Sequence, residues 1–310
     1  MAKLTDATVV TVEGRENIRG WLRSSVKFTM RIRDGALSDQ LLSKIARIKI
    51  PANAGTPDLV ICSGGKSVFA AKALSVKHSA PLVFVGERKH FPSEWFHTVV
   101  SPVTSDNAAN VVGVEIIPTG ITPELISLRG KPESGVWCMI IGGASRSHLF
   151  KEDDWRAIAE GMNALAKRLN IRWLFTTSRR TGAEAEGFMK AALDPQILVD
   201  AIWWSEKQRR ELHDFIARSE LLCVTQDSVT MVSEAVCSGR PVVALAPQDV
   251  RFPTDSFLPD YFERLAANKR LKRLAVTDLG TADIAPRNFK VLKKDILPGV
   301  ARELMQRLGW

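Results

Sequence analysis

The sequence predicts an α/β protein built from two tandem doubly wound domains. Three observations carry that prediction. Short apolar runs alternate with helix-length amphipathic stretches along most of the chain. The apolar runs are apolar throughout rather than at every second residue, as strands of a parallel sheet covered on both faces are. The alternation also stops near residue 130 and then restarts. A length of 310 residues suits two domains of roughly 150 residues each.

In order, PDLVICSGG reads as a buried strand ending in a glycine turn, and KSVFAAKALSVKH as a helix. PLVFVGE, HTVVSP and NVVGVEIIPTG read as three further strands. TPELISLRGKPESG is rich in Pro, Gly and charge and has no period, so it reads as the break between domains. VWCMIIGG restarts the pattern as a strand. EDDWRAIAEGMNALAKRLN then places Trp155, Ile158, Ala159, Met162, Leu165, Ala166 and Leu169 on one helical face. Its acidic start and basic end suit the helix dipole. IRWLFTTS, QILVDAIWW, LLCVTQ and RPVVALAP follow as strands, with helices expected over AEAEGFMKAAL, KQRRELHDFIARS and SVTMVSEAVCSG. The chain closes on a basic amphipathic helix with Pro298 early in it, where a missing N–H costs little. The expected domains are therefore residues 1–130 and 131–280, with a segment and helix at 281–310 that packs back across them.

Composition narrows the function. Hydrophobic residues at 45% and charged residues at 25% exclude a disordered chain, a collagen-like repeat and a coiled-coil rod. No apolar run approaches the roughly 20 residues that span a bilayer. MAKLTDATVVTVEG has no apolar core of signal-peptide type, which places the expected location in the cytoplasm. Cys62, Cys138, Cys223 and Cys237 form no CxxC pair and read as reduced, buried residues. The five histidines are scattered, no HExxH or DxD-type motif occurs, and no metal site is expected. A net charge of +9 points to an anionic partner. No RNP, zinc-finger or KH signature accompanies it, so nucleic acid is not the expected partner.

Ligands of doubly wound sheets sit beyond the carboxyl ends of the strands. That rule nominates four turns. SGGKS at 63–67 fails as a Walker A motif, because Val60 stands where the first Gly is required, but Gly64 and Gly65 open a helix whose free N–H groups suit an anion. GGASRSHLF offers Gly142 and Gly143 for close backbone approach, with Ser145 and Arg146 as donors. TTSRRTG sets Ser178, Arg179, Arg180 and Thr181 together, and Arg forks match phosphate geometry. In QDSVTMVSEAVCSGRPVVALAP, Asp227 or Ser228 can cap a helix starting near Val229. Ser228 and Thr230 can reach a diphosphate there, Ser233 follows, and Glu234 lies one turn further on.

TTSRRTG, with VTQDSVTMVSEAVCSGRPVV about fifty residues later, resembles the mitochondrial-fission ELM family. GGASRSH, PDLVICSGGKS and VGERKHFPSEWFHTVVSP fit the same order, so the resemblance covers roughly residues 55–250. That family is similar in fold to GT-B glycosyltransferases. The resemblance implies an interdomain cleft, a nucleotide-sugar donor on the second domain, and a ribose contact from Glu234. The opening departs from the family: TVVTVEGRENIRGW holds Gly14 as its one turn candidate and no His. The candidate bases that remain in the first half are Glu87, His90 and Asp106. Arg88 and Lys89 flank His90 and would keep its ring neutral.

The resulting expectation is a metal-independent GT-B-like glycosyltransferase with no tightly bound cofactor. Its donor is a nucleotide-diphosphate sugar and its acceptor an envelope or lipid-linked saccharide, reached by peripheral contact with an anionic membrane. The alternative is a non-catalytic nucleotide-binding or scaffold protein of the same family, which binds without turnover.

Overall fold

The computed structural model describes residues 13–16, 46–49, 55–65, 67–89 and 91–310. The chain divides into two compact units, Met1–Ile117 with Leu297–Trp310, and Pro118–Ile296.

In the first unit, β1 (Glu13–Glu16) and β2 (Ala46–Lys49) form an antiparallel pair. Gly14, expected as a turn, is instead a strand residue opposite Ile48. A glycine is free to adopt the extended backbone that pairing demands. A parallel sheet follows in chain order: β3 (Val60–Ser63), β4 (Leu82–Val85), β5 (Thr98–Ser101) and β6 (Val111–Gly113). Successive residues of β4 point to opposite layers. Leu82 and Phe84 pack with Val68 and Phe69 of α1 (Val68–His78), and with Phe91 and Trp95. Val83 and Val85 pack with Val100, Val112, and Val300 and Leu304 of the terminal helix α8 (Leu297–Leu308). Arg307 of that helix donates to the carbonyl of Ala109 at 3.0 Å.

The second unit opens with α2 (Pro123–Arg129), inside the segment expected to be an aperiodic break. The correction has a local cause. Thr122 is extended and its hydroxyl accepts from the N–H of Leu125 at 3.1 Å, and Pro123 takes the first helical position. Next come β7 (Val136–Ile140), β8 (His148–Leu149), α3 (Glu152–Leu169), β9 (Arg172–Thr176), α4 (Ala183–Ala192) and β10 (Leu198–Ile202). Then follow α5 (Leu212–Arg218), β11 (Leu221–Thr225), α6 (Val229–Cys237), β12 (Val242–Ala246), β13 (Asp249–Val250), α7 (Leu258–Ala267) and β14 (Lys272–Ala275). The expected stripe of α3 is buried from Trp155 to Ala166, with Leu169 partly buried at its end. Helix α5 is shorter than expected. Arg209 is drawn into ion pairs with Asp200 and Glu211, so residues 207–211 stay outside the helix.

The six parallel strands of this unit lie in the order β10-β9-β7-β11-β12-β14. The first strand in sequence is therefore central. The chain winds outward to β10, returns to β11 beside β7, and winds outward again. That reversal between β7 and β11 is the switch point at which doubly wound sheets open a crevice. One layer of its core joins Trp137, Met139, Trp173 and Phe175 of the sheet to Trp155, Ile158, Met162 and Leu165 of α3.

Removing the cap of α2 tests its local origin. Thr122→Ala should cost about 1 kcal/mol, read as a lower urea midpoint; an unchanged midpoint would show that packing alone holds the helix.

Candidate functional site

The loops after β7, β9 and β11 meet at the switch point. Gly142 donates its N–H to the hydroxyl of Thr225 at 2.7 Å, and Gly143 donates to Asp227 Oδ2 at 3.1 Å. Arg180 Nη2 reaches the same Asp227 oxygen at 2.6 Å. The hydroxyls of Thr181, at 2.6 Å, and Ser178 both donate to the Gly142 carbonyl. Gly142, Gly143, Ser178, Arg180, Thr181 and Asp227 thus form one knot. Both glycines are required by proximity. A Cβ on Gly142 would stand 2.3 Å from Asp227 Oδ2, and one on Gly143 would stand 2.3 Å from the Arg180 carbonyl oxygen.

Asp227 is the electrostatic centre of the knot. Its side chain is 0% exposed, whereas that of Arg180 is 40% exposed. Burial pushes the carboxyl above the ordinary aspartate range, ahead of the opposing pull of the Thr225 hydroxyl, the Arg180 guanidinium and the Gly143 N–H. Its second oxygen, Oδ1, is buried without a hydrogen-bond partner.

Ser228 caps α6: it is extended, and its hydroxyl accepts from Met231 N at 3.4 Å. Val229 and Thr230 form the first turn behind it, with Thr230 exposed. Ser233 is committed to the interior, donating to Val229 O at 2.7 Å and meeting Tyr261 Oη at 2.7 Å, which leaves no surface for a ligand. Glu234 is half-buried, and burial raises its carboxyl above the usual glutamate range. Ser145 holds its own loop, accepting from His148 N at 3.1 Å. Arg146 and Arg179 are exposed, with no ion pair among the described residues. The loops therefore present a helix N-terminus and two guanidiniums, on Arg146 and Arg179, beside a locked knot.

Three supporting residues were not singled out by sequence reasoning. Thr225 is legible only as the last residue of a strand. Glu186 is buried in α4 and accepts from Thr177 Oγ1 at 2.5 Å and from Ser205 N at 3.3 Å, tying the segment after β10 to the β9 loop. No local motif signals that role. His148 is buried where β8 pairs with β13, edge-on to Phe252 and Phe262. Burial, with Arg273 nearby, pulls its imidazole down to about 4, so the ring is neutral.

In the first unit, Gly64 and Gly65 form an exposed turn before α1, with Ser67 Oγ donating to Ser63 O at 2.7 Å. Asp106 gives both oxygens to Arg88, at 2.7 and 2.9 Å, and a carboxylate so held is a strut rather than an available base. Glu87 lies beyond the end of β4 with Lys89 Nζ at 3.8 Å. His90 lies outside the described residues. No group of three or more His, Cys, Asp or Glu among the described residues could hold a metal ion. No helix among them is long and apolar enough to cross a membrane.

The family described as mitochondrial fission ELM1 matches residues 6–308, and the chain belongs to that family. No curated protein matches it. Among solved structures, the UDP-GlcNAc 2-epimerase from Methanocaldococcus jannaschii is 13% identical, with 92% of this chain and 83% of that one covered and a TM-score of 0.52. A UDP-GlcNAc 2-epimerase from Neisseria meningitidis bound to UDP-GlcNAc is also 13% identical, with coverages of 94% and 83% and a TM-score of 0.48. The ADP-heptose lps heptosyltransferase II of E. coli is 13% identical, with coverages of 80% and 77% and a TM-score of 0.44. The fold is GT-B-like, with Rossmann-type α/β units, as the sequence predicts.

The buried carboxyl of Glu234 yields a pH test. A raised folded-state value means its contribution to stability is full below the unfolded value, about 4.3, and is lost as pH rises through the folded value. Glu234→Gln should therefore be more stable than the parent at neutral pH, and the two should converge in acid. Equal melting at both extremes would mean that burial places no penalty on this carboxyl.

Proposed function

We propose that the second unit binds a nucleotide-diphosphate sugar and that the protein is a metal-independent glycosyltransferase. The observation that carries this reading is the convergence of a Gly-Gly loop, an Arg-bearing loop and the capped start of α6 at the switch point between β7 and β11. Membership of a family with a GT-B-like fold supports the same ligand class.

The roles follow from charge and placement. A departing nucleoside diphosphate gains negative charge as the glycosidic bond breaks. The unpaired N–H groups at the start of α6 and the guanidiniums of Arg146, Arg179 and Arg180 would stabilise that charge without a metal. Ser228 and Thr230 would add hydroxyl donors. Glu234, half-buried on α6, would accept from the ribose hydroxyls. The bases we propose for deprotonating the acceptor are Glu87 and His90, since Asp106 is held by Arg88. An envelope or lipid-linked saccharide is the proposed acceptor. A binding protein without turnover is the second reading, and the locked state of Asp106 is the observation that favours it.

A thermal-shift screen against UDP, GDP, CMP and ADP and their sugar conjugates tests the assignment. A ligand at one hundred times its Kd should stabilise the fold by about 2.7 kcal/mol. Binding with transfer or hydrolysis of the sugar supports the enzyme, binding without turnover supports the second reading, and no binding by the whole set refutes both. Replacing Arg146 and Arg179 together by Ala should weaken the selected nucleotide at least severalfold while leaving melting of the unliganded protein unchanged. Unaltered affinity would remove both arginines from the site.

A further inference from the structure

Resting on the nucleotide-sugar reading above, we propose that Asp227 is an internal anion that occupies the phosphate cradle of the second unit, and that an incoming diphosphate binds by displacing it.

The cradle is defined by its donors. The N–H of Gly143 and the guanidinium of Arg180 converge on one oxygen, Asp227 Oδ2, at 3.1 and 2.6 Å. These are the two donor types that hold phosphate oxygens elsewhere: a glycine backbone that permits close approach and an arginine fork. The carboxylate lies hard against the Gly-Gly pair, its two oxygens 2.3 and 2.4 Å from where a Cβ on Gly142 would be. A phosphate oxygen and this carboxylate oxygen cannot share the position. Both are acceptors carrying negative charge, and each needs the same donors.

Asp227 is also incompletely satisfied in that position. Its side chain is wholly shielded from solvent, yet Oδ1 has no hydrogen-bond partner. Two other buried carboxylates of this unit use both oxygens. Asp154 accepts from Lys151 N at 2.9 Å through one and from Gln248 N at 3.0 Å through the other. Glu186 accepts from Thr177 and Ser205 through one and from Ser205 Oγ through the other. A carboxylate serving only as a strut would be expected to resemble those two. Asp227 instead meets the Gly143 and Arg180 donors with one oxygen and leaves Oδ1 without a hydrogen-bond partner. Arg180, 40% exposed, has room to turn with the incoming ligand.

The test uses inorganic pyrophosphate as the probe and the full chain as the protein. Asp227→Asn keeps the side-chain shape and removes the competing charge. Titration calorimetry should show pyrophosphate binding at least about tenfold tighter, a gain of about 1.4 kcal/mol, to the Asn variant than to the parent. Equal or weaker binding by a variant that melts like the parent overturns the proposal. Asp227→Ser makes the same comparison if the Asn variant does not fold.

The same titrations repeated with the nucleoside diphosphates separate the two ideas. Tighter pyrophosphate binding by the Asn variant with no nucleotide binding by either protein sustains the internal anion and sinks the nucleotide-sugar reading. Nucleotide binding that Asp227→Asn leaves unimproved does the reverse.

Discussion

The contact of Asp227 with Gly143 and Arg180 fixes three loops at once, and the geometry beyond β7, β9 and β11 depends on it. Strands β7, β9 and β11 are held by their ladders, but the residues that follow have no ladder to join. The donors at Gly142 and Gly143 and the hydroxyls at Ser178 and Thr181 replace it. Burying a carboxylate is costly unless donors are supplied, and two charge-assisted bonds to Oδ2 supply part of what water would. Removing one partner of such a pair strands the other, so the arrangement is better understood as specifying loop positions than as a net gain in stability. The two glycines follow from it, since a methyl at either would collide with the knot.

Two carboxyls in this unit work against the fold. Burial raises both Asp227 and Glu234, which means the folded state disfavours the charge each would carry in water. Asp227 lies just beyond the carboxyl end of β11, and Glu234 follows it more than a turn into α6. Asp154, also buried, shows how a carboxylate is treated when it serves the fold: both oxygens are bonded, one closing the first turn of α3 and one holding the loop after β12. Asp227 and Glu234 thus differ from Asp154 and Glu186, whose oxygens are all bonded, and perturbed carboxyls of this kind mark a candidate site. The layered core around Trp137, Trp173 and Trp155 supplies the stability that such a site draws on.

Much of this was legible wherever the physics is local. The stripe of α3 from Trp155 to Ala166 is a period, and its buried face matches it residue by residue. The cap at Ser228 is a short-range hydrogen bond between neighbours in sequence. Helix α2 was missed because Pro and Gly were weighed as breakers, although Thr122 followed by Pro123 is equally a start signal. Strand β14 was not foreseen because Lys272 and Arg273 interrupt its apolar run, as an edge strand permits. Ser233 was placed among the ligand contacts by its position on α6, and only the partner across the core, Tyr261, shows its hydroxyl to be spent. The role of Asp227 could not be read at all. Its partners are 47 and 84 positions away, and nothing within its own segment distinguishes a capping aspartate from one that reaches across two loops.

Topology marks a candidate ligand position in the second unit, and none among the described strands of the first. The described parallel strands of the first unit run β3-β4-β5-β6 in chain order, with no reversal among them. Among these four strands the winding runs in one direction, so no switch point falls between them. The loops at their carboxyl ends must therefore be judged by their chemistry alone. There the bidentate pairing of Arg88 with Asp106 and the loop contact of Arg88 Nη1 with the Phe91 carbonyl at 2.8 Å read as reinforcement of a loop. The second unit differs because β7 sits between β9 and β11, so loops from both windings emerge side by side whatever their sequence. Chemistry then has only to supply donors. Gly143, Arg180 and the start of α6 do so, with an aspartate already seated among them.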